Sequence, residues 1–492
     1  MLIFHLFFFH LFTFLLFFVP LQAISKKRNE MKDNYPFISM LRKYVSSSVL
    51  LVIATVAALI IANSPWGDLY RSLWSLPVSL SIGSFNIFSH GGHAMTLGEF
   101  INDYLMAIFF LSVGLEIKRE VLVGELSNIK NAIAPIIGAC GGMITPVIVF
   151  FLVCWGNPVM ERGMAIPMAT DIAFSLGCLS VFSKRCPIGL KVFLATLAVA
   201  DDLGGIIVIA IRYTDHLNLW YLFISAIIVA VLCIGNWRGV RTKAFYFNTG
   251  FLLWYFMLGS GIHATIAGVI LAFCIPANIP RGTKFYIERI RHKLEHFPAT
   301  TVTRADRNKP VVLSDKEIAL LKSVESASDH LISPLQDMED VLKMSVNYHI
   351  IPLFAFANAG VNLAGMSLMN LFSGVGLAVF LGLLIGKFCG VFSFTWVGVK
   401  LGIIRVPQGA NWKSFAGVCM LCGIGFTVSM FMAALSYSSA EHADLLNDAK
   451  LGILCGSMAS AIIGCLMLNR FLPKEEEVPA ELTSLQTVEG KE

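Results

Sequence analysis

Long apolar runs recur along this chain from about residue 45 to residue 471, each closed by a short polar or basic stretch. About twenty apolar residues in a helix cross roughly 30 Å of hydrocarbon. On that measure the pattern predicts twelve spans: 45 to 63, 97 to 115, 132 to 153, 163 to 182, 188 to 211, 219 to 235, 244 to 259, 261 to 275, 340 to 360, 372 to 395, 412 to 435 and 449 to 471. Between the first two, VSLSIGSFNI alternates apolar and polar residues around Gly83-Ser84. A glycine-led two-residue turn between alternating runs predicts a β-hairpin over Val78 to Ile87. An isolated hairpin is marginal in water, so a second copy of the chain is the simplest partner for it.

Three segments fall outside this rhythm. Residues 2 to 24 are Phe- and Leu-rich, with Lys26, Lys27 and Arg28 after them. A signal peptide carries its cations before the apolar core, so residues 1–30 read as an extra span or anchor, or as an upstream translation artefact with the start at Met31. Residues 276–338 contain a charged stretch, about 281 to 335, with no spanning run; it reads as a long cytoplasmic loop with local helix and partial disorder. The glutamate-rich end, 473–492, reads as a disordered acidic tail. The membrane core then divides into a first part, 40–275, with the hairpin near 77–88, and a second part, 339–472.

A hydrophobic fraction of 56%, only 14% charged residues and a mean hydropathy of +0.73 place the chain in the polytopic membrane class. Most of the eleven cysteines lie in apolar stretches, where the thiol behaves as a small hydrophobe, and no disulfide framework is expected. Cys419 and Cys422 have CxxC spacing without a second ligand pair, which favours packing over metal or redox chemistry. The net charge of +5 carries no signal for nucleic acid, because the cations follow topology. With Arg42 and Lys43 placed inside, the loops assigned inside include Lys118, Arg119, Lys184, Arg185, Arg238, Arg241, Lys243, Lys400 and Arg405; those assigned outside hold only Arg71, Arg162 and Arg212. That asymmetry puts both ends of the twelve-span core in the cytoplasm.

The costliest feature is Asp201-Asp202 inside VFLATLAVADDLGGIIVIAI. One carboxylate at the centre of a bilayer costs about 2.5–3.5 kcal/mol on the insertion scale, so an adjacent pair points to an ion or proton pathway. Neighbours on a helix diverge by about 100°; one aspartate can meet a cation while the other faces an aqueous cavity. Lys387, in LGLLIGKFCGVF, is the natural partner. Gly382, Gly386 and Gly390 recur every fourth residue beside it and form a face for close helix approach. Snorkelling of Lys387 to the interface is the bland alternative.

Asp171 lies in AIPMATDIAFSLG, where Pro167 and Gly177 flank Thr170-Asp171, the pattern of a helix that unwinds at membrane depth. GVCMLCGIGFTVSM interrupts a later run in the same way, with Gly417, Gly423, Gly425 and Thr427. Paired interrupted spans in two halves point to a transporter's central site. Their helix ends need compensating charge, which Asp171 can supply as a cap or by direct ion contact. Asp103 is a further charge in the second span. Glu116, Arg119 and Glu120 are spaced i, i+3, i+4 at its cytoplasmic end, where surface pairing within the helix is the ordinary reading and a proton-sensing funnel the sharper one. His263, opening a span at the outer side, is structural or a candidate pH responder.

Through these residues and their surroundings the chain resembles the NhaA-type sodium/proton antiporters from about residue 40 to 471. The strings that carry the resemblance are INDYLMAIFFLSVGLEIKRE, ATDIAFSLG, LKVFLATLAVADDLGGIIVIA, HATIAGVILAF, PLFAFANAG, LIGKF and CGIGFTVSMFMA. The resemblance implies an all-α polytopic membrane protein of twelve transmembrane helices, with inverted repeats, two crossed discontinuous helices and a small extracytoplasmic β-hairpin. It implies Asp202 as principal sodium and proton ligand, Asp201 beside it with Lys387, Thr170 near the ion, and Asp171 and Lys387 as compensators of helix dipoles. It implies a pH response at Glu116, Arg119, Glu339 and His263. The activity implied is electrogenic exchange of internal sodium or lithium for external protons in a bacterial inner membrane, by a homodimer joined through the hairpin, without a cofactor or nucleic acid and with lipid as its surroundings. One departure stands out: before PLFAFANAG the family carries a basic pair after Ser-Pro, whereas Ser333-Pro334 is followed here by Gln336 and Asp337, with Glu339 retained.

Two rival classes leave sequence marks. An intramembrane aspartyl protease would use aspartates on two helices, as Asp171 and Asp202 are, but resembles its class through GxGD, absent here, as HExxH is. A sodium-coupled solute symporter of similar fold is the closer rival, and sodium counterflow without organic solute separates the two transport modes.

Overall fold

Within residues 46–473, the computed structural model describes all but 80, 83–84, 87, 91–92, 214–216, 279–282, 296–314, 363–373 and 408. The extension 1–30, the tail from Lys474 and the Gly83-Ser84 turn therefore lie outside the described residues.

The chain is overwhelmingly helical. In order come α1 (Ser47–Ala62), α2 (Gly67–Trp74), α3 (Leu97–Leu122), α4 (Ile129–Cys154), a 3₁₀ stretch Met160–Met168 leading to α5 (Ile172–Ser180), α6 (Ile188–Arg212), α7 (Leu219–Trp237), α8 (Lys243–Ser260) and α9 (Ile266–Cys274). Then follow α10 (Thr283–Glu295), α11 (Asp315–Leu331), α12 (Pro334–Ser345), a π turn, α13 (Ile351–Asn358), α14 (Gly374–Lys400), α15 (Trp412–Leu421), α16 (Phe426–Ser436) and α17 (Ala443–Phe471). Two short antiparallel ladders join α2 to α3: Ser81 pairs with Asn86 and Ile82 with Phe85, then Ser89 with Ala94 and His90 with His93.

Among the described residues seven helices are long and apolar enough to cross a membrane, or nine when the bent pairs α1–α2 (115°) and α15–α16 (43°) each count as one. The stretches predicted at 244 to 259, 261 to 275 and 340 to 360 fold as helices too short or too polar to be counted that way. In the last, Ser333 caps α12 by accepting from the Gln336 amide, with Pro334 in the first turn, where its missing N–H costs nothing. Two predicted boundaries shift. The second span continues through Glu116 and Arg119 to Leu122, and the last begins at Ala443, because charges at a helix end can stand in water without ending the helix. The segment 281 to 335, expected as loop with local helix, contains two helices, α10 and α11, packed on each other.

The glycine face beside Lys387 explains how α14 lies against α4. A side chain on Gly390 would meet the Gly141 carbonyl oxygen at 2.1 Å, and one on Gly386 would meet Pro146 Cα at 2.8 Å. Backbones thus touch where lipid tails offer no hydrophobic drive for association. That close approach carries Lys387 inward, fully buried.

Candidate functional site

Both interrupted elements open where the sequence offers breakers. Pro167 lacks an amide donor at the end of the 3₁₀ stretch, and Ala169 to Asp171 run extended before α5 begins. Between α15 and α16 the break covers Cys422 to Gly425; a side chain on Gly425 would strike Ser429 Oγ at 2.2 Å and approach the Ala169 carbonyl to 3.1 Å. The two breaks meet and satisfy one another's backbone. The Asp171 amide donates to the Ile424 carbonyl at 2.7 Å, Ser175 Oγ to Leu421 O at 3.3 Å and Ser429 Oγ to Ile166 O at 2.7 Å. Inside a membrane, groups released from a helix have to find such partners.

Two buried ionisable side chains answer the helix ends. Asp171 is the N-cap of α5, accepting from the Phe174 amide at 3.0 Å with one oxygen. Its other oxygen accepts the Thr427 amide (3.1 Å) and hydroxyl (2.6 Å) in the first turn of α16. One carboxylate therefore faces the positive ends of two helices. At the opposite polarity, Lys387 Nζ donates to the Met168 carbonyl that closes the 3₁₀ stretch and stands 2.7 Å from Asp201 Oδ2. Thr170 Oγ1 lies within hydrogen-bonding reach of the same Asp201 oxygen (2.8 Å) and of the Cys422 carbonyl (2.9 Å).

Asp202 differs from its neighbour. Asp201 is held by Lys387 and Thr170, whereas neither oxygen of Asp202 has a hydrogen-bond partner among the described residues. It is 3% exposed and forms part of the wall of a cavity of about 330 Å³, with Asp171 and Thr427. Ser112, Glu116, Lys343 and Asn347 continue that wall toward the end of α3. The divergence of adjacent helical positions thus separates the pair into a paired and an unpaired carboxylate. Thr170 stands on the Asp201 side, away from the cavity wall.

Around the polar end of α3 one pair forms within the helix and two reach across to α12. Arg119 pairs with the adjacent Glu120 (2.9 Å) and reaches Glu339 on α12 (3.3 Å), while Glu116 faces Lys343 at 3.7 Å. Facing helices outcompete the i, i+3 and i, i+4 partners because α12 brings opposite charges to both. Burial pushes the Glu339 carboxyl above its ordinary range, opposed by Arg119. Asp337 pairs with Lys243 at 2.6 Å. His263 lies 3.7 Å from Asp103 and 2.9 Å from Thr265 Oγ1, in a separate group away from the two breaks.

From sequence Thr427 was named only as part of the second interrupted run, without a role, and Lys343 was not singled out. A role for Thr427 was within reach, since a hydroxyl at a helix start is a natural donor to a facing carboxylate. Lys343 gave no signal, for a lysine on a helix end is ordinary. Among the described residues no cluster of three or more His, Cys, Asp or Glu side chains could hold a resident metal ion.

Two interrupted helices that meet over buried carboxylates, beside a cavity and within a multi-pass bundle, define a secondary ion transporter. The chain belongs to the Na+/H+ antiporter family. The family model Na+/H+ antiporter 1 matches residues 39–468. A Na(+)/H(+) antiporter NhaA of Phocaeicola vulgatus is 50% identical over 449 residues, covering 90% of this chain and 97% of the relative. One of Bacteroides fragilis is 51% identical over 430 residues, covering 87% and 96%, and one of Glaesserella parasuis 42% identical over 437 residues, covering 88% and 96%.

Proposed function

We propose that the chain exports sodium, or lithium, in exchange for protons by competition of the two ions at Asp202. The observation that carries this reading is the unpartnered Asp202 carboxylate on the cavity wall beside a neighbour held by Lys387. A protonated Asp202 that meets sodium releases its proton and keeps the metal as counterion; the reverse step reloads the proton. A hard cation takes oxygen ligands, which the carboxylate and water supply. Asp201 and Lys387 hold compensating charge beside the site, so a change in the load of Asp202 need not leave a bare charge in the bundle.

Twelve spans fit this reading, the nine counted above with the three shorter or more polar helices, as do inverted repeats with crossed interrupted helices. Cytoplasmic termini of the core, a bacterial inner membrane and a homodimer through the hairpin near Val78–Ile87 complete it. Glu116, Arg119, Glu339 and His263 are the groups through which pH would act. Electrogenic turnover requires that more proton charge move inward than sodium charge outward in each cycle. Solute symport finds less support, since the named relatives are antiporters.

The test is Asp202→Asn in everted membrane vesicles. Sodium-dependent proton release is expected to vanish, with the protein still present in the membrane at parental level. Undiminished release would remove Asp202 from the pathway.

A further inference from the structure

The helical hairpin between α9 and α12 takes no part in the exchange site. Its base is closed: the Leu335 amide donates to the Pro276 carbonyl at 3.2 Å, and Arg241 donates to the Ile332 carbonyl at 3.3 Å. The excursion therefore leaves and rejoins the bundle at one place, beside the polar end of α3, where Lys118 donates to the Phe273 carbonyl at the end of α9 (2.7 Å). Nothing within α10 is buried.

Charge along this excursion is uneven. Residues 281–309 carry eight basic side chains against three acidic ones, whereas α11 carries four acidic against two basic. On α10 the exposed residues Lys284, Ile287, Arg291 and Leu294 follow i, i+3, i+7, i+10 spacing. At 100° per residue they fall within an arc of about 80°. Cations thus alternate with aliphatic side chains along one open stripe, where Ile287 is 53% and Leu294 54% exposed. Arg291 also meets Glu295 at 3.0 Å, but both are largely exposed, and such a surface pair is worth little and yields readily to a stronger counter-charge.

We infer that α10 docks on the anionic leaflet at this end of the bundle, its aliphatic side chains entering the headgroup boundary and Lys284 and Arg291 meeting phospholipid phosphates. A basic helix with exposed apolar residues is the composition that lies at such a surface, and each Lys or Arg adds attraction that decays within a Debye length. The hairpin is tethered at both ends to the membrane-embedded bundle, so the leaflet stands next to it at high effective concentration. This rests on the membrane reading above and not on the chemistry of Asp202.

The test uses the whole chain in nanodiscs of phosphatidylcholine alone and of phosphatidylcholine mixed with phosphatidylglycerol, with hydrogen exchange followed across 283–295 by mass spectrometry. Exchange is expected to slow by about tenfold in the anionic discs, and to lose that slowing at high salt and in Lys284→Glu/Arg291→Glu. Ile287→Ser/Leu294→Ser should lose most of it while keeping the cations. Equal exchange in both lipids, or protection that persists in the charge-reversed variant, overturns the inference. Protection that follows protein concentration instead of lipid charge overturns it too, in favour of a second copy. Sodium/proton exchange by the parent chain in vesicles of the same lipids reports separately on the transport reading.

Discussion

Thr427 gives both its amide and its hydroxyl to a single oxygen of Asp171, at 3.1 and 2.6 Å, so the start of α16 is fastened to the cap of α5 by one carboxylate. Because the two elements come from opposite halves of the chain, this contact joins the interrupted helices more directly than any apolar packing does. Replacing Asp171 by Ala should leave the first turns of α5 and α16 without their acceptor. A helix cap contributes about 0.5–2 kcal/mol, and a buried donor left unmade costs about 1–3 kcal/mol more. Thermal unfolding of the purified protein in detergent should show a large fall for Asp171→Ala and a smaller one for Thr427→Val, which keeps the amide contact. Equal midpoints for parent and Asp171→Ala would mean that the helix ends find other partners.

Lys387 and Asp201 form a fully buried ion pair at 2.7 Å. Removing one member of such a pair costs about 3–5 kcal/mol, because the survivor keeps its desolvation penalty. Lys387→Gln should therefore lower the unfolding midpoint sharply, and Asp201→Asn added to it should recover most of the loss. If the double variant is no more stable than Lys387→Gln, the pair is not what holds α14 to α6.

How much of this was legible in the sequence depends on where each residue's partner lies. Asp201, Asp202 and Lys387 were visible because a charge inside an apolar run is costly wherever it stands, and the glycines at 382, 386 and 390 gave the face on which Lys387 turns inward. The breaks were visible through Pro167, Gly423 and Gly425. What could not be read was which side chain meets which across helices. The spacing of Glu116, Arg119 and Glu120 favoured a local pairing, and Arg119 does meet Glu120, but α12 also supplies Glu339 to Arg119 and Lys343 to Glu116. Likewise Thr170 was expected near the ion only through the family resemblance, and which carboxylate its hydroxyl meets, Asp201, could not be read from the sequence.

The glycine contact between α14 and α4 admits no side chain. In Gly390→Ala the new methyl would stand 2.1 Å from the Gly141 carbonyl oxygen, so the helices must part and Lys387 moves with α14. Gly205→Ala is the control, one turn beyond Asp201-Asp202 on α6, where the nearest atom is Met432 Cε at 3.7 Å. Gly390→Ala should reduce both the yield of folded protein and sodium-dependent proton release, while Gly205→Ala, with room for its methyl and a better helix former in place, should retain both. Detergent-solution chromatography and vesicle assays on the same preparations measure the two effects.

Glu339 sits before the span predicted at 340 to 360, with Arg119 3.3 Å away and Glu116, Lys343 and Asp340 around it. Burial raises its carboxyl above the ordinary range; Arg119 and Lys343 work against that rise, and Glu116 and Asp340 add to it. A carboxyl whose folded pKa is raised favours the folded state at pH below its unfolded value and loses that contribution as pH climbs through the folded value. Full charge on Glu339, and with it the ion pair to Arg119, is therefore reached at higher pH than for a glutamate in water. Arg119→Gln withdraws the principal cation and should move the titration higher still. If this pair conditions the mouth of the cavity, the pH profile of sodium-dependent dequenching should shift to the alkaline side in Arg119→Gln and lose this component in Glu339→Gln. Arg119→Lys, which keeps the charge, should stay near the parent. A profile in Arg119→Gln superimposable on that of the parent would confine the pair to a structural role.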